Sequence, residues 1–150
     1  MLRCVPRPNG LRDPDEVVTK LGVAPGQPAL RIGDIAIYDR RIEHLAGQLD
    51  RAELDLPYRF FAARFGTVLC FALEEIEAPA LATELVRVAN PAGAIWIVVW
   101  KKPHLRPGWL SWDAMQEVML PTGWVDNKIL SLGDEVYGTR YVLRKALRPA

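Results

Sequence analysis

The side chains in this chain that could do chemistry are few and scattered. His44 and His104 are the only histidines, Cys4 and Cys70 the only cysteines, and none has a ligand partner at useful spacing. A structural or catalytic zinc needs three or four convergent ligands, so no metal site is expected. Cys70 lies inside the apolar run TVLCFAL, where a thiol behaves as a small hydrophobe, and reduced thiols are the simpler reading for both cysteines. No serine or cysteine carries a local base, and nucleophile-elbow and P-loop patterns are absent. The richest constellation mixes carboxylates, cations and aromatic rings. Glu74 and Glu75 follow TVLCFAL, while Trp100, Lys101, Lys102 and His104 end or follow the run AIWIVVW. If both runs are parallel neighbouring strands, these residues share the sheet edge at which open α/β sheets bind ligands. Lysines there would hold an anion, with Trp100, Trp109 or Trp112 as a flat apolar wall. The competing reading makes Lys101 and Lys102 solvated loop charges and the tryptophans lids on the core. Asp126, Lys128, Asp134 and Glu135 lie close together near the end of the chain. A carboxylate pair such as Asp134–Glu135 does acid–base work only if burial shifts one member, and a hairpin loop favours exposure.

The elements that would position these groups are legible in part. Residues 1–10, with Pro6, Pro8, Asn9 and Gly10, read as an arm, and residues 11–150 as one α/β domain. Asp13 is a good N-cap, Pro14 suits the first helical position, and Gly22 is a plausible stop. PALRIG reads as a first strand, and a helix is expected from Asp39 to Ala46, ended by Gly47. Residues 48–65 are the least legible stretch, with YRFF as a candidate second strand. TVLCFAL and AIWIVVW read as strands buried on both faces. Between them Pro79 to Asn90 forms an amphipathic helix, broken by NPAG. Ser111 caps a helix through Leu120, and strands are expected near Val125–Leu132 and Thr139–Lys145. The order implies an open, mostly parallel Rossmann-like sheet flanked by helices, with an antiparallel C-terminal strand pair.

Charge narrows the function classes. Nineteen basic and 18 acidic residues give a net charge of +1, without the excess that phosphate binding demands. Arg140, Arg144, Lys145 and Arg148 concentrate positive charge at the C-terminus, which suits a protected edge strand. No signal peptide is read at the start, and the longest apolar run is half a membrane span. A cytoplasmic protein with no membrane partner is expected. Five tryptophans are many for this length, and a homodimer surface is one use for them.

The entry KLGVAPGQPALRIG resembles the opening of S-adenosylmethionine-dependent methyltransferases. The stretches KLGVAPGQ, IWIVVWKKP and GWVDNKILSLGDEVYGTRYVLRK are more closely similar to a family of small bacterial domains of unknown function. That family has a methyltransferase-like fold, so the resemblance implies a fold and no established activity. In methyltransferases the first βα turn carries an acidic residue and three alternate glycines, which let the cofactor approach the backbone. Here the turn reads LRIGDIAI. Arg31 stands at the acidic position, Gly33 keeps the first glycine, and Ile35 and Ile37 take the other two. Two β-branched side chains in the cofactor's seat argue against binding.

These residues therefore point to a non-catalytic Rossmann-like domain that binds a small ligand or protein and carries no cofactor. The alternative is a divergent S-adenosylmethionine-dependent methyltransferase with its site around Gly33, Glu74 and Trp100. A second alternative, nucleic-acid association through Lys101, Lys102, Arg106 and the basic C-terminus, is disfavoured by the charge balance.

Overall fold

Residues 7–60 and 63–149 are described here from a computed structural model. In chain order they form α1 (Pro14–Leu21), β1 (Ala29–Ile32), α2 (Asp39–Ala46), β2 (Leu49–Ala52) and β3 (Phe65–Phe71). Then follow α3 (Ala78–Val88), β4 (Ala89–Trp100), α4 (Trp112–Met119), β5 (Trp124–Ser131) and β6 (Val136–Leu143). The strands make one sheet of order β2-β1-β3-β4-β6-β5. Its β2, β1, β3 and β4 are parallel, and β6 runs antiparallel to both β4 and β5. This is the open sheet with an antiparallel terminal pair that the apolar runs anticipate.

Local signals explain most boundaries. The Asp13 carboxylate accepts the Glu16 N–H at 3.2 Å, Pro14 opens α1, and Gly22 closes it in a left-handed conformation. Ser111 caps α4 by accepting the Ala114 N–H at 3.1 Å. Side chains of the central strands alternate between two apolar layers. Val68, Cys70, Ile95, Ile97 and Val99 pack under α3 and α4, while Leu69, Phe71, Trp96, Val98 and Trp100 pack under α1 and α2. A sheet covered on both faces needs such continuous apolar strands.

Three expectations change. The second strand is Leu49–Ala52, whereas Tyr58 to Phe60 is loop and Phe61 of YRFF lies outside the described residues. With Asp50 and Arg51 among its four residues, this short edge strand has no apolar run to announce it. The helix before NPAG ends at Val88 and not at Asn90, and NPAG itself is strand. Strand β4 runs through it from Ala89, and a register shift against β3 between Phe65 and Thr67 absorbs the irregularity. Gly93 permits this, because a Cβ there would stand 2.4 Å from the Gly66 carbonyl oxygen. Finally, the terminal strand β6 lies inside the sheet between β4 and β5, so Arg140 does not guard an edge, and Arg144, Lys145 and Arg148 follow the strand.

Trp96 ties the layers together. It is fully buried, and its indole N–H donates to the Leu21 carbonyl at 3.0 Å, satisfying one of the orphan carbonyls at the end of α1. Trp96→Phe removes ring volume and leaves that carbonyl unpaired. Urea denaturation should show a loss of about 2–3 kcal/mol.

Candidate functional site

The first βα turn is organised by charge. Arg31 occupies the β1 position that alternation turns toward α2, where an apolar side chain would be ordinary. Its guanidinium donates to both Asp39 carboxylate oxygens, at 2.9 and 2.8 Å, and also to the Gly33 carbonyl. Both side chains are only 11% exposed. Asp39 is the first residue of α2, where the helix dipole favours a negative charge, and it accepts a further bond from Arg51 of β2 at 2.9 Å. One carboxylate thus links β1, α2 and β2. Gly33 adopts φ +99°, and a Cβ there would lie 3.0 Å from the Phe71 carbonyl oxygen, so only glycine fits between β1 and β3. The isoleucines do not sit where the sequence pattern suggests. Ile35 is 6% exposed and packs into the core with Tyr38 and Ile42, and Ile37 is 47% exposed to solvent. Neither lines the cleft described next.

A cleft of about 1040 Å³ opens beyond the carboxyl ends of β2 and β3. One wall is Leu54, Leu56 and Tyr58 from the segment after β2, and the other is Glu74, Glu75 and Glu77 after β3. Arg106 and Trp109 close it from the loop after β4, and Arg7 reaches it from the arm. Strand order places the switch point between β1 and β3, because the chain leaves β1 for β2 on one side and returns to β3 on the other. Open α/β sheets bind ligands at that crevice. The first wall is tethered to α3: the Phe60 N–H donates to Glu84 at 3.2 Å, and the Tyr58 hydroxyl accepts the Glu77 N–H at 3.1 Å. Arg87 donates twice to Glu84, and these bonds hold the Glu84 carboxyl below its ordinary range.

The candidate residues are distributed as follows. Glu74 and Glu75 line the cleft, whereas Gly33, packed against Phe71 after β1, is not among its lining residues. Trp100 is buried, donates its indole N–H to the Leu73 carbonyl at 2.9 Å, and stacks on Trp109 with centroids 5.4 Å apart. Arg106 covers the Trp109 ring at 4.6 Å. Lys101 is turned away: its ammonium donates to Ser131 Oγ at 2.9 Å and to the Gly133 carbonyl at 2.7 Å, clamping the β5–β6 hairpin. Lys102 is exposed outside the cleft, and His104 faces Glu135 at 3.5 Å. Cys70 is a buried free thiol whose pKa burial pushes up, which makes it inert, and Cys4 lies outside the described residues. One further acidic residue emerges only with the fold. Glu53 is exposed one position past β2 and twenty residues after Gly33, the spacing at which Rossmann-type sites hold a ribose hydroxyl.

No family model matches the chain, the small bacterial family included, and the curated proteins hold no match. Solved structures do match. A SAM dependent methyltransferase from Aquifex aeolicus aligns with TM-score 0.64 at 15% identity, over 87% of this chain and 89% of that one. A putative type 11 methyltransferase from Sulfolobus solfataricus gives 0.63 at 12% identity, over 93% and 97%. The glycopeptide N-methyltransferase MtfA complexed with S-adenosyl-L-homocysteine gives 0.58 at 11%, over 87% and 88%. The chain has a methyltransferase-like fold. These neighbours correct the expectation of a domain without cofactor, since the Aquifex protein is named as SAM dependent and MtfA was solved with S-adenosyl-L-homocysteine and with sinefungin. Ile35 and Ile37, expected to fill the cofactor's seat, lie in the core and at the surface, and neither lines the cleft. No helix among the described residues is long and apolar enough to cross a membrane.

Two outcomes follow from this geometry. Arg31→Met leaves a buried carboxylate served only by Arg51, and denaturation should show a loss of about 3 kcal/mol. Replacing both partners, Arg31→Met with Asp39→Leu, should recover at least half of it. The Glu84 carboxyl is lowered in the folded state, so its contribution is present above the ordinary carboxylate range and lost as pH falls through the lowered value. Amide exchange in residues 54–60, corrected for intrinsic pH effects, should therefore accelerate on acidification, and Glu84→Gln should abolish that pH dependence.

Proposed function

We propose that the protein is a divergent S-adenosylmethionine-dependent methyltransferase whose cofactor turn is held by an ion pair in place of two glycines. The observation that carries this reading is the coincidence of cleft and topology: the cleft lies beyond the strand ends beside the β1/β3 switch point of a methyltransferase-like fold. The residues present fit an S-adenosyl ligand. Gly33 leaves the backbone bare at the turn, Glu53 offers a carboxylate for ribose hydroxyls, and Leu54, Leu56 and Tyr58 offer an apolar wall for a base.

When bound, the cofactor supplies an activated methyl group. The chain's own task is to orient an acceptor and exclude water. Glu74, Glu75 and Glu77 crowd one side of the cleft, and Trp109, braced by Trp100 and Arg106, gives it a flat floor. That surface suits a planar or cationic acceptor held by stacking and carboxylate contacts. Cys70, buried and protonated, has no part in transfer.

Titration calorimetry with S-adenosylhomocysteine tests the reading. Micromolar binding by the wild type is expected, with Glu53→Ala weaker by about tenfold, the worth of one charged hydrogen bond to a hydroxyl. Absence of heat at millimolar ligand would end the proposal.

A further inference from the structure

We propose that the methyl acceptor carries a planar cation, such as an amidinium or guanidinium, and binds by displacing Arg106 from the face of Trp109. The acceptor role rests on the cofactor reading above. Trp109 is held from two sides. It stacks on the buried Trp100, with centroids 5.4 Å apart and planes 21° from parallel. The guanidinium carbon of the exposed Arg106 lies 4.6 Å from the Trp109 centroid and covers the ring from the solvent side. Glu75 and Trp109 form an antiparallel bridge, so the segment after β3 runs beside the ring. At Gly108, φ +85°, a Cβ would stand 3.2 Å from a Glu75 carboxylate oxygen. That carboxylate therefore rests against the residue next to the ring.

Opposite charges share this cleft without pairing. Arg106, Glu75 and Glu77 all line it, yet among the described residues none of these three side chains makes an ion pair. The ring holds the guanidinium and leaves the carboxylates without a cation. For stability the contact does little, since an exposed cation–π pair shifts an equilibrium by only about two- to fivefold. Nor does Trp109 need it, because Trp100 and the Glu75 bridge already fix the ring. For recognition the arrangement is apt. A flat cation on Trp109 regains what Arg106 gives up and adds the contact with Glu75 that Arg106 does not make. Arg106, on an exposed loop, swings into solvent without leaving a charge buried. The cation is the handle by which the acceptor is held, not the atom that takes the methyl group. An anion of the same shape meets Glu74, Glu75 and Glu77 and is repelled.

Benzamidine, benzamide and benzoate share one shape and carry a positive, a zero and a negative charge. Calorimetry on the full chain would titrate each into the wild type, Arg106→Ala and Glu75→Gln, with S-adenosylhomocysteine titrated separately. The wild type should prefer benzamidine to benzamide by about tenfold and take no benzoate. Glu75→Gln should weaken benzamidine by about fivefold and leave benzamide unchanged. Arg106→Ala should tighten both benzamidine and benzamide by about two- to fivefold, because an uncovered ring takes any flat ligand. No preference for the cation, or no gain on removing Arg106, overturns the proposal. So does a gain confined to benzamidine, which relief of charge repulsion alone would give. In each case the cofactor reading stands if the wild type binds S-adenosylhomocysteine. If that ligand does not bind, the acceptor assignment falls with the cofactor, whatever benzamidine does.

Discussion

A guanidinium and a carboxylate, nearly buried side by side, tie the first βα turn to the strands and helix around it. Charge at the Arg31 position must be paired or expelled, because desolvating a lone guanidinium costs more than a domain of this size can spare. Asp39 pairs it from the first turn of α2, where the helix dipole adds to the attraction. Since Asp39 also holds Arg51, the spacing of β1, β2 and α2 is fixed around one carboxylate. The Gly33 carbonyl is drawn into the same network.

Where a glycine-rich turn carries no side chains, this turn carries two isoleucines that do not line the cleft. The Gly33 carbonyl accepts from Arg31, Ile35 enters the core and Ile37 is exposed to solvent. Gly33 itself is still required, by φ and by the nearness of Phe71. The cleft inherits two different walls: an apolar segment tethered through Phe60 and Glu84 to α3, and a carboxylate-rich one after β3. Arg106 lies over Trp109, which stacks on the buried Trp100, so an aromatic surface and a cation join the two walls.

The fold was legible where burial on two faces writes a continuous apolar run, as in β3 and β4, or where a cap marks a helix start, as at Asp13 and Ser111. It was illegible where structure depends on partners distant in sequence. Strand β2 carries two charged residues in four because Arg51 answers Asp39, and nothing local announces this. The first βα turn misled for a related reason. Position by position Ile35 and Ile37 replace glycines, but Ile35 packs into the core with Tyr38 and Ile42 while Ile37 is exposed, which no pattern match contains. Glu53 was readable in principle from its twenty-residue spacing after Gly33, once a strand end was placed before it. Lys101 belongs to a hairpin clamp that only the pairing of β5 with β6 creates.

A crystal structure with S-adenosylhomocysteine bound tests the central claim most directly. The account predicts the nucleoside lying across the ends of β1, β2 and β3, against Gly33 and Glu53, with the Arg31–Asp39 pair intact beneath it. Ligand density elsewhere on the domain, or a turn that binds only after Arg31 and Asp39 separate, would contradict it.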